Sequence, residues 1–290
     1  MTARWRLSNR APLNLRALDE HALAGAIDHS ILDPWLARSE VDAALDVAIE
    51  WQTATVCCRP TDLEYVARRL RGTLVGPTTV VGFPHGTTTA ATKEREAIAA
   101  IDLGAVELDL VADIGAIRGG DLAAVKDELA GICYAVAPTP VKVILDTGRL
   151  TTEQLEAACA IAVKARAAFV ENGSDYSGCE ADPAGIAVLR RAVGERLGVK
   201  AAGRIATLDE LLAVLAAGAC RVGTPATAAI LREWRVRGPT ALEATLPRVD
   251  RPGSPTGSCY TRAVRLPGGG PQQDDAKECT LPQEGVQFAP

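Results

Sequence analysis

A chain of 290 residues, 48% of them hydrophobic, can bury one large core, and a single barrel-sized domain is the natural size for it. Thirty-six acidic against 31 basic residues give a formal net charge of −5, without the basic excess that nucleic-acid binding needs, so nucleic acid is set aside as a partner. No apolar run approaches the roughly 20 residues that cross a bilayer, and the opening MTARWRLSNRAPLNLRALDE lacks the apolar centre of a secretory signal, so no membrane association and a cytoplasmic location are expected.

Eight β-rich runs follow one another. They are AGAIDHS near residue 25, TATVCC from Thr53, TTVVGFP from Thr78, VELDLV from Val106, VKVILDT from Val141, AAFVEN from Ala167, GVKAAG from Gly198 and CRVGT from Cys220. Helix-like stretches lie between them, among them SEVDAALDVAIEW, TDLEYVARRLRG, ATKEREAIAAIDLG and TTEQLEAACAIAVKARA, several opening on a Ser, Thr or Asp cap. Eight strand–helix repeats in about 220 residues predict a closed α/β barrel, the (β/α)8 TIM barrel, rather than an open doubly wound sheet. The barrel is expected over residues 24–246, after an N-terminal extension with a helix (1–23). A Pro- and Gly-rich tail (247–290) without apolar periodicity is expected to be disordered.

The eight cysteines show no C-x-x-C pair and are read as reduced thiols; vicinal Cys57 and Cys58 would bridge only with strain. The three histidines, His21, His29 and His85, fall in no metal-binding motif, so neither a metal nor a cofactor is expected. His29 and His85 are candidates for the barrel mouth, though lone histidines are more often packed or surface residues.

Charges inside strands carry the chemical signal, because an inward charge in a barrel is unfavourable unless paired or used. Alternation along a strand puts Glu107 and Asp109 on one face of the fourth strand and Lys142 with Asp146 on one face of the fifth. Glu171 lies on the sixth strand and Lys200 on the seventh. Reacting groups of such barrels sit at strand C-termini, so these side chains are expected to converge over one mouth. The same pattern also fits a structural ion-pair network.

AIDHSILDP, VCCRP, VVGFPHGTTTAATKEREAI, LGAVELDLVADIGAIRGGD, VKVILDT and the closing VGT resemble successive blocks of the deoxyribose-phosphate aldolase family, in that family's order, over about residues 24 to 235. The resemblance implies carbon–carbon bond chemistry through a lysine imine on the sixth strand. A second lysine on the seventh strand lowers the pKa of the first, and an aspartate on the fourth relays protons. It places Asp109 on the proton-relay aspartate, Lys200 on the second lysine, Lys142 on a fifth-strand lysine and Cys57 on a substrate-side cysteine. Where the family has its lysine-threonine-serine-threonine-glycine segment, this chain reads Glu171-Asn172-Gly173-Ser174-Asp175, so a carboxylate stands where the imine lysine is expected. The phosphate turns differ as well: Gly203-Arg204 after the seventh strand, and Gly223-Thr224-Pro225-Ala226 after the eighth, where Pro225 removes one N–H donor.

Three readings follow. In the first, a non-phosphorylated carbonyl compound undergoes imine-free acid/base chemistry (aldol, retro-aldol, cyclisation or elimination). Asp109, Glu171, Lys200 and Lys142 are the catalytic candidates, with Glu171 or Asp109 as base and Lys200 polarising the carbonyl. In the second, the imine moves to Lys200 or Lys142. In the third, the barrel is catalytically silent and binds a ligand or partner. Cys57, Asp28, Asp146, Arg204, Asn172 and Tyr176 are the candidate substrate contacts, with Asp175 beside Tyr176; Arg204 is a candidate grip on a carboxylate or phosphate. A homodimer is compatible with the fold.

Overall fold

The computed structural model describes residues 11–245. Residues 1–10 of the expected extension and the whole 247–290 tail lie outside the described residues. All eight predicted strands form: β1 (Ile27–Ile31), β2 (Thr55–Cys58), β3 (Gly76–Val81), β4 (Glu107–Val111), β5 (Val141–Ile144), β6 (Phe169–Glu171), β7 (Gly198–Ala202) and β8 (Arg221–Thr224). Each pairs in parallel with the next, and β8 closes on β1. The chain is therefore a (β/α)8 barrel, as its eight repeats predict.

A short helix, α1 (Glu20–Ala24), precedes β1 and is capped by the Asp19 carboxylate. The connecting helices are α2 (Arg38–Trp51), α3 (Leu63–Arg69), α4 (Ala90–Asp102), α5 (Ile114–Gly119), α6 (Leu122–Ala135), α7 (Thr152–Lys164), α8 (Pro183–Val193), α9 (Leu208–Ala216) and α10 (Thr227–Thr245). Their starts follow side-chain chemistry. Thr151 with Gln154 and Thr207 with Glu210 form capping boxes for α7 and α9, and Asp182 caps α8 ahead of Pro183. On α2 the buried residues Val41, Leu45 and Ala48 recur at helical spacing and face the strands.

The apolar core lies between barrel and helices. Outward strand residues such as Val56, Leu108, Leu110, Val143, Val170, Val199 and Val222 are buried in it. The inward residues differ, because charged groups occupy the middle of the barrel where branched aliphatics are usual. Under them lies the Phe169 ring, for which Gly198 leaves room: a Cβ there would sit 2.2 Å from the ring. At the chain's far end, Arg235 of α10 holds Glu20 of α1 through two hydrogen bonds (2.7 and 3.0 Å) and stacks 4.2 Å from the Trp51 ring centroid. Among the described residues no helix is long and apolar enough to cross a membrane.

Candidate active site

Strand register brings the predicted charges together. Asp109 pairs with Lys142 across β4 and β5, Glu171 with Lys200 across β6 and β7, and Lys200 with Arg221 across β7 and β8. Lys142 Nζ lies 2.6 Å from Glu107, 2.9 Å from Asp109 and 3.3 Å from Asp28. Lys200 Nζ is in short contact with Asp109 and lies 3.3 Å from Glu171 and 3.4 Å from Asp28. Arg221 reaches Asp28 at 2.6 Å and Glu107 at 3.4 Å, and the Thr55 hydroxyl donates to Asp28 at 2.6 Å. Gly223, beside Lys200, keeps space for its side chain: a Cβ there would meet Lys200 Cε at 3.2 Å.

Four carboxyls (Asp28, Glu107, Asp109, Glu171) thus share three cations (Lys142, Lys200, Arg221). A buried cluster with one anion too many relaxes by keeping a proton. Glu171 keeps it. Burial pushes its pKa up to about 8, with Asp109 and Asp28 adding to the rise, and Lys200 offsets this only in part. The reason is geometric: Lys200 is in closer contact with Asp109, and Glu171 Oε2 is buried with no hydrogen-bond partner among the described residues. Burial also opposes the charges on Lys200 and Lys142, but the surrounding carboxylates outweigh it and hold both well above the usual lysine range. Burial opposes the charge on Asp28 and Asp109 too. There the neighbouring cations win, and both are held below the usual carboxylate range. That upward shift favours the protonated form of Glu171 at neutral pH, a form that donates rather than accepts a proton.

A cavity of about 380 Å³ opens over this cluster, and its polar floor is Cys57, Asp109, Glu171 and Lys200. The Cys57 thiol lies 3.5 Å from Asp109 Oδ2, and burial, reinforced by that carboxylate, raises its pKa, so it stays a thiol. Cys58 points the other way, into the helix-facing core. His29 also lines the cavity; its Nδ1 lies 2.8 Å from the Thr227 hydroxyl, and burial lowers its pKa to about 4, so the ring is neutral. Tyr176 stands at the rim with its ring edge-on to Phe83, centroids 5.4 Å apart.

Other predicted contacts lie elsewhere. Lys142 and Asp28 are fully buried beneath the floor and do not line the cavity; Lys142 contacts Asp109, and Asp28 contacts both Lys142 and Lys200. Asn172 follows Glu171 on the opposite side of the chain and bridges β6 to β7: its Nδ2 donates to Ala202 O (2.9 Å) and its Oδ1 accepts from Ala202 N (2.8 Å). Asp146 does not line the cavity either; its backbone is left-handed (φ 50°), and burial raises its pKa. His85 is exposed off the cavity wall. Arg204 does line the mouth, exposed, with its guanidinium 2.6 Å from Glu180 and 3.7 Å from Asp175. Sequence reasoning missed Arg221, although alternation along CRVGT places it inward with Gly223.

A closed parallel barrel whose ionised groups open at the C-terminal strand ends is the architecture of a barrel enzyme. No family model matches the chain. Curated deoxyribose-phosphate aldolases from Streptococcus equi subsp. zooepidemicus and Streptococcus pneumoniae are each 39% identical over 206 residues, which is 71% of this chain and 94% of theirs. A crystal structure of a protein from Coccidioides immitis assigned as a deoxyribose-phosphate aldolase aligns with a TM-score of 0.72 at 31% identity, covering 79% of this chain and 89% of that one. The aldolase QR15 aligns at 0.70 and 26%, covering 75% and 98%. The chain belongs to the deoxyribose-phosphate aldolase family.

Proposed function

We propose that this chain is an aldolase-like carbon–carbon lyase that acts on a non-phosphorylated β-hydroxy carbonyl compound without a covalent imine. The family resemblance supports the lyase class. The observation that carries the imine-free mechanism is the buried Glu171 carboxyl on the cavity floor, with Oε1 3.3 Å from Lys200 and Oε2 without a hydrogen-bond partner among the described residues.

In the cleavage direction, Glu171 gives its proton to the substrate carbonyl oxygen while the Cα–Cβ bond breaks and its electron pair becomes the enol double bond. The β-hydroxyl proton passes to Asp109, which yields the aldehyde product. Lys200 touches both acids, so it returns a proton to Glu171 and takes one from Asp109, restoring the starting charges. Its ammonium also stabilises negative charge growing on the carbonyl oxygen. Relocation of the imine to Lys200 or Lys142 is disfavoured, because the Lys142 ammonium is held charged by Asp28, Glu107 and Asp109, that of Lys200 by Asp28 and Asp109, and Lys142 does not reach the cavity.

The test is release of benzaldehyde from the acetone–benzaldehyde aldol. The intact protein should turn over, and Glu171→Gln and Lys200→Met should each lose roughly a hundredfold or more. Borohydride treatment during turnover should leave the protein mass unchanged. Near-normal turnover in both variants, a trapped adduct, or vigorous cleavage of deoxyribose phosphate would each defeat the proposal.

A further inference from the structure

The cavity has a second part that the proton chemistry does not use. Beyond the polar floor it runs from Ile31 under the β1–α2 loop to Leu36 and to Ala44 on α2. This roof is built rather than incidental. The Arg59 guanidinium, anchored on Asp62 at 2.6 Å, donates to three loop carbonyls, Asp33 O at 3.1 Å, Pro34 O at 2.9 Å and Leu36 O at 3.1 Å. Three hydrogen bonds from one planar group, itself anchored by a fourth, fix the loop over the arm, a geometry in which arginine loses little freedom per bond.

The charges around the mouth point the same way. Its lining carries Asp33 and Asp175, and Arg204, the rim cation among the described lining residues, lies 2.6 Å from Glu180 and 3.7 Å from Asp175. The turn after β8 presents Pro225, which has no N–H for an anion. An anionic group at the rim would thus meet the Asp33 and Asp175 carboxylates, while a hydrocarbon group would find the Leu36 and Ala44 side chains.

Resting on the lyase reading of the same floor, we infer that the arm under the β1–α2 loop receives the uncharged hydrocarbon end of the substrate, with Leu36 and Ala44 as specificity-determining residues. The substrate is a carbonyl compound with its polar, reacting end at Glu171 and Lys200 and an alkyl or aryl end beneath the loop pinned by Arg59.

Calorimetric titration of the full chain with three probes tests this: benzylacetone, a butanone bearing a terminal amine, and deoxyribose phosphate. Benzylacetone should bind at least about tenfold more tightly than either charged probe. Leu36→Asp, which places a charge in the arm, and Ala44→Leu, which fills it, should each weaken benzylacetone about tenfold or more, with melting curves confirming that the variants fold. Tighter binding of the amine or the phosphate, an unchanged benzylacetone affinity in both variants, or no saturable binding at all overturns the inference. Because the readout is binding, saturation by benzylacetone without turnover of any aldol removes the lyase reading and leaves the arm standing. Turnover without arm-dependent affinity does the reverse.

Discussion

Glu171 on β6 and Lys200 on β7 are direct register partners whose side-chain ends lie 3.3 Å apart, while Lys200 is in closer contact with Asp109. The surplus carboxyl keeps its proton instead. Which group goes uncharged is thus decided by the count of charges on the barrel floor.

Changing the sign of that surplus should change the chemistry. In Glu171→Lys the same floor would hold four cations against three carboxylates, so the new amine, buried among like charges, should be the group that loses its proton and becomes nucleophilic. Incubation with acetaldehyde and borohydride should then add one reduced two-carbon unit to the variant and none to the parent. A parent that traps as well, or a variant that does not, contradicts the charge-count argument.

Stability should follow the same proton. Glu171 has its pKa raised from 4.5 to about 8 in the fold, so between those limits the folded chain holds more protons than the unfolded one and stability falls as pH rises. Asp28 and Asp109 shift downward, so their stabilisation is present above the usual carboxylate range and is lost as pH falls through their folded values. Urea melts across a pH series should show stability declining on the alkaline side of about pH 5. Glu171→Gln should flatten that decline. An identical slope in the variant would place the proton elsewhere.

How far the sequence disclosed this site depends on the residue. The eight strands were legible from β-branched runs between capped helices, and period-two alternation correctly turned Glu107, Asp109, Lys142, Glu171 and Lys200 into the barrel. The same alternation should have assigned Asn172 to the opposite side from Glu171. Arg221 was hidden because CRVGT was read for its turn rather than for its one charged residue. The apolar arm was not legible, since Ile31, Leu36 and Ala44 meet only through the fold of the β1–α2 connection.

Asn172 gives a prediction that separates positioning from chemistry. Its two bonds to Ala202 tie β6 to β7 just past the Glu171–Lys200 pair. Asn172→Ala leaves the Ala202 N–H and C=O without that partner and should lower stability by about 1–3 kcal/mol. Aldol turnover should fall with little change in KM, because the cavity lining is intact. A stability loss below the error of a chemical melt would show that the bridge is dispensable.

A second buried pair supports the far wall. Lys93, fully buried, donates to Glu128 at 2.9 Å, and the other Glu128 oxygen accepts the Asp113 N–H at 3.2 Å. Lys93→Met strands a buried carboxylate and should destabilise by about 3–5 kcal/mol, while Lys93→Met with Glu128→Gln should recover most of that. Thermal or urea melts of both variants decide it; equal losses would mean that packing, not charge, governs the site.

The Phe169 ring beneath the charges has a consequence for proton traffic. With that aromatic layer in place, Asp109, Glu171 and Lys200 are the members of the ionic cluster that border the cavity among the described residues, and they form its doorway for hydrogen ions. A guest filling the doorway isolates the ionic reservoir, so the number of hydrogen ions aboard is set at docking and stays constant until departure. Buffer-dependent heats of association, rather than turnover rates, are where that accounting becomes visible.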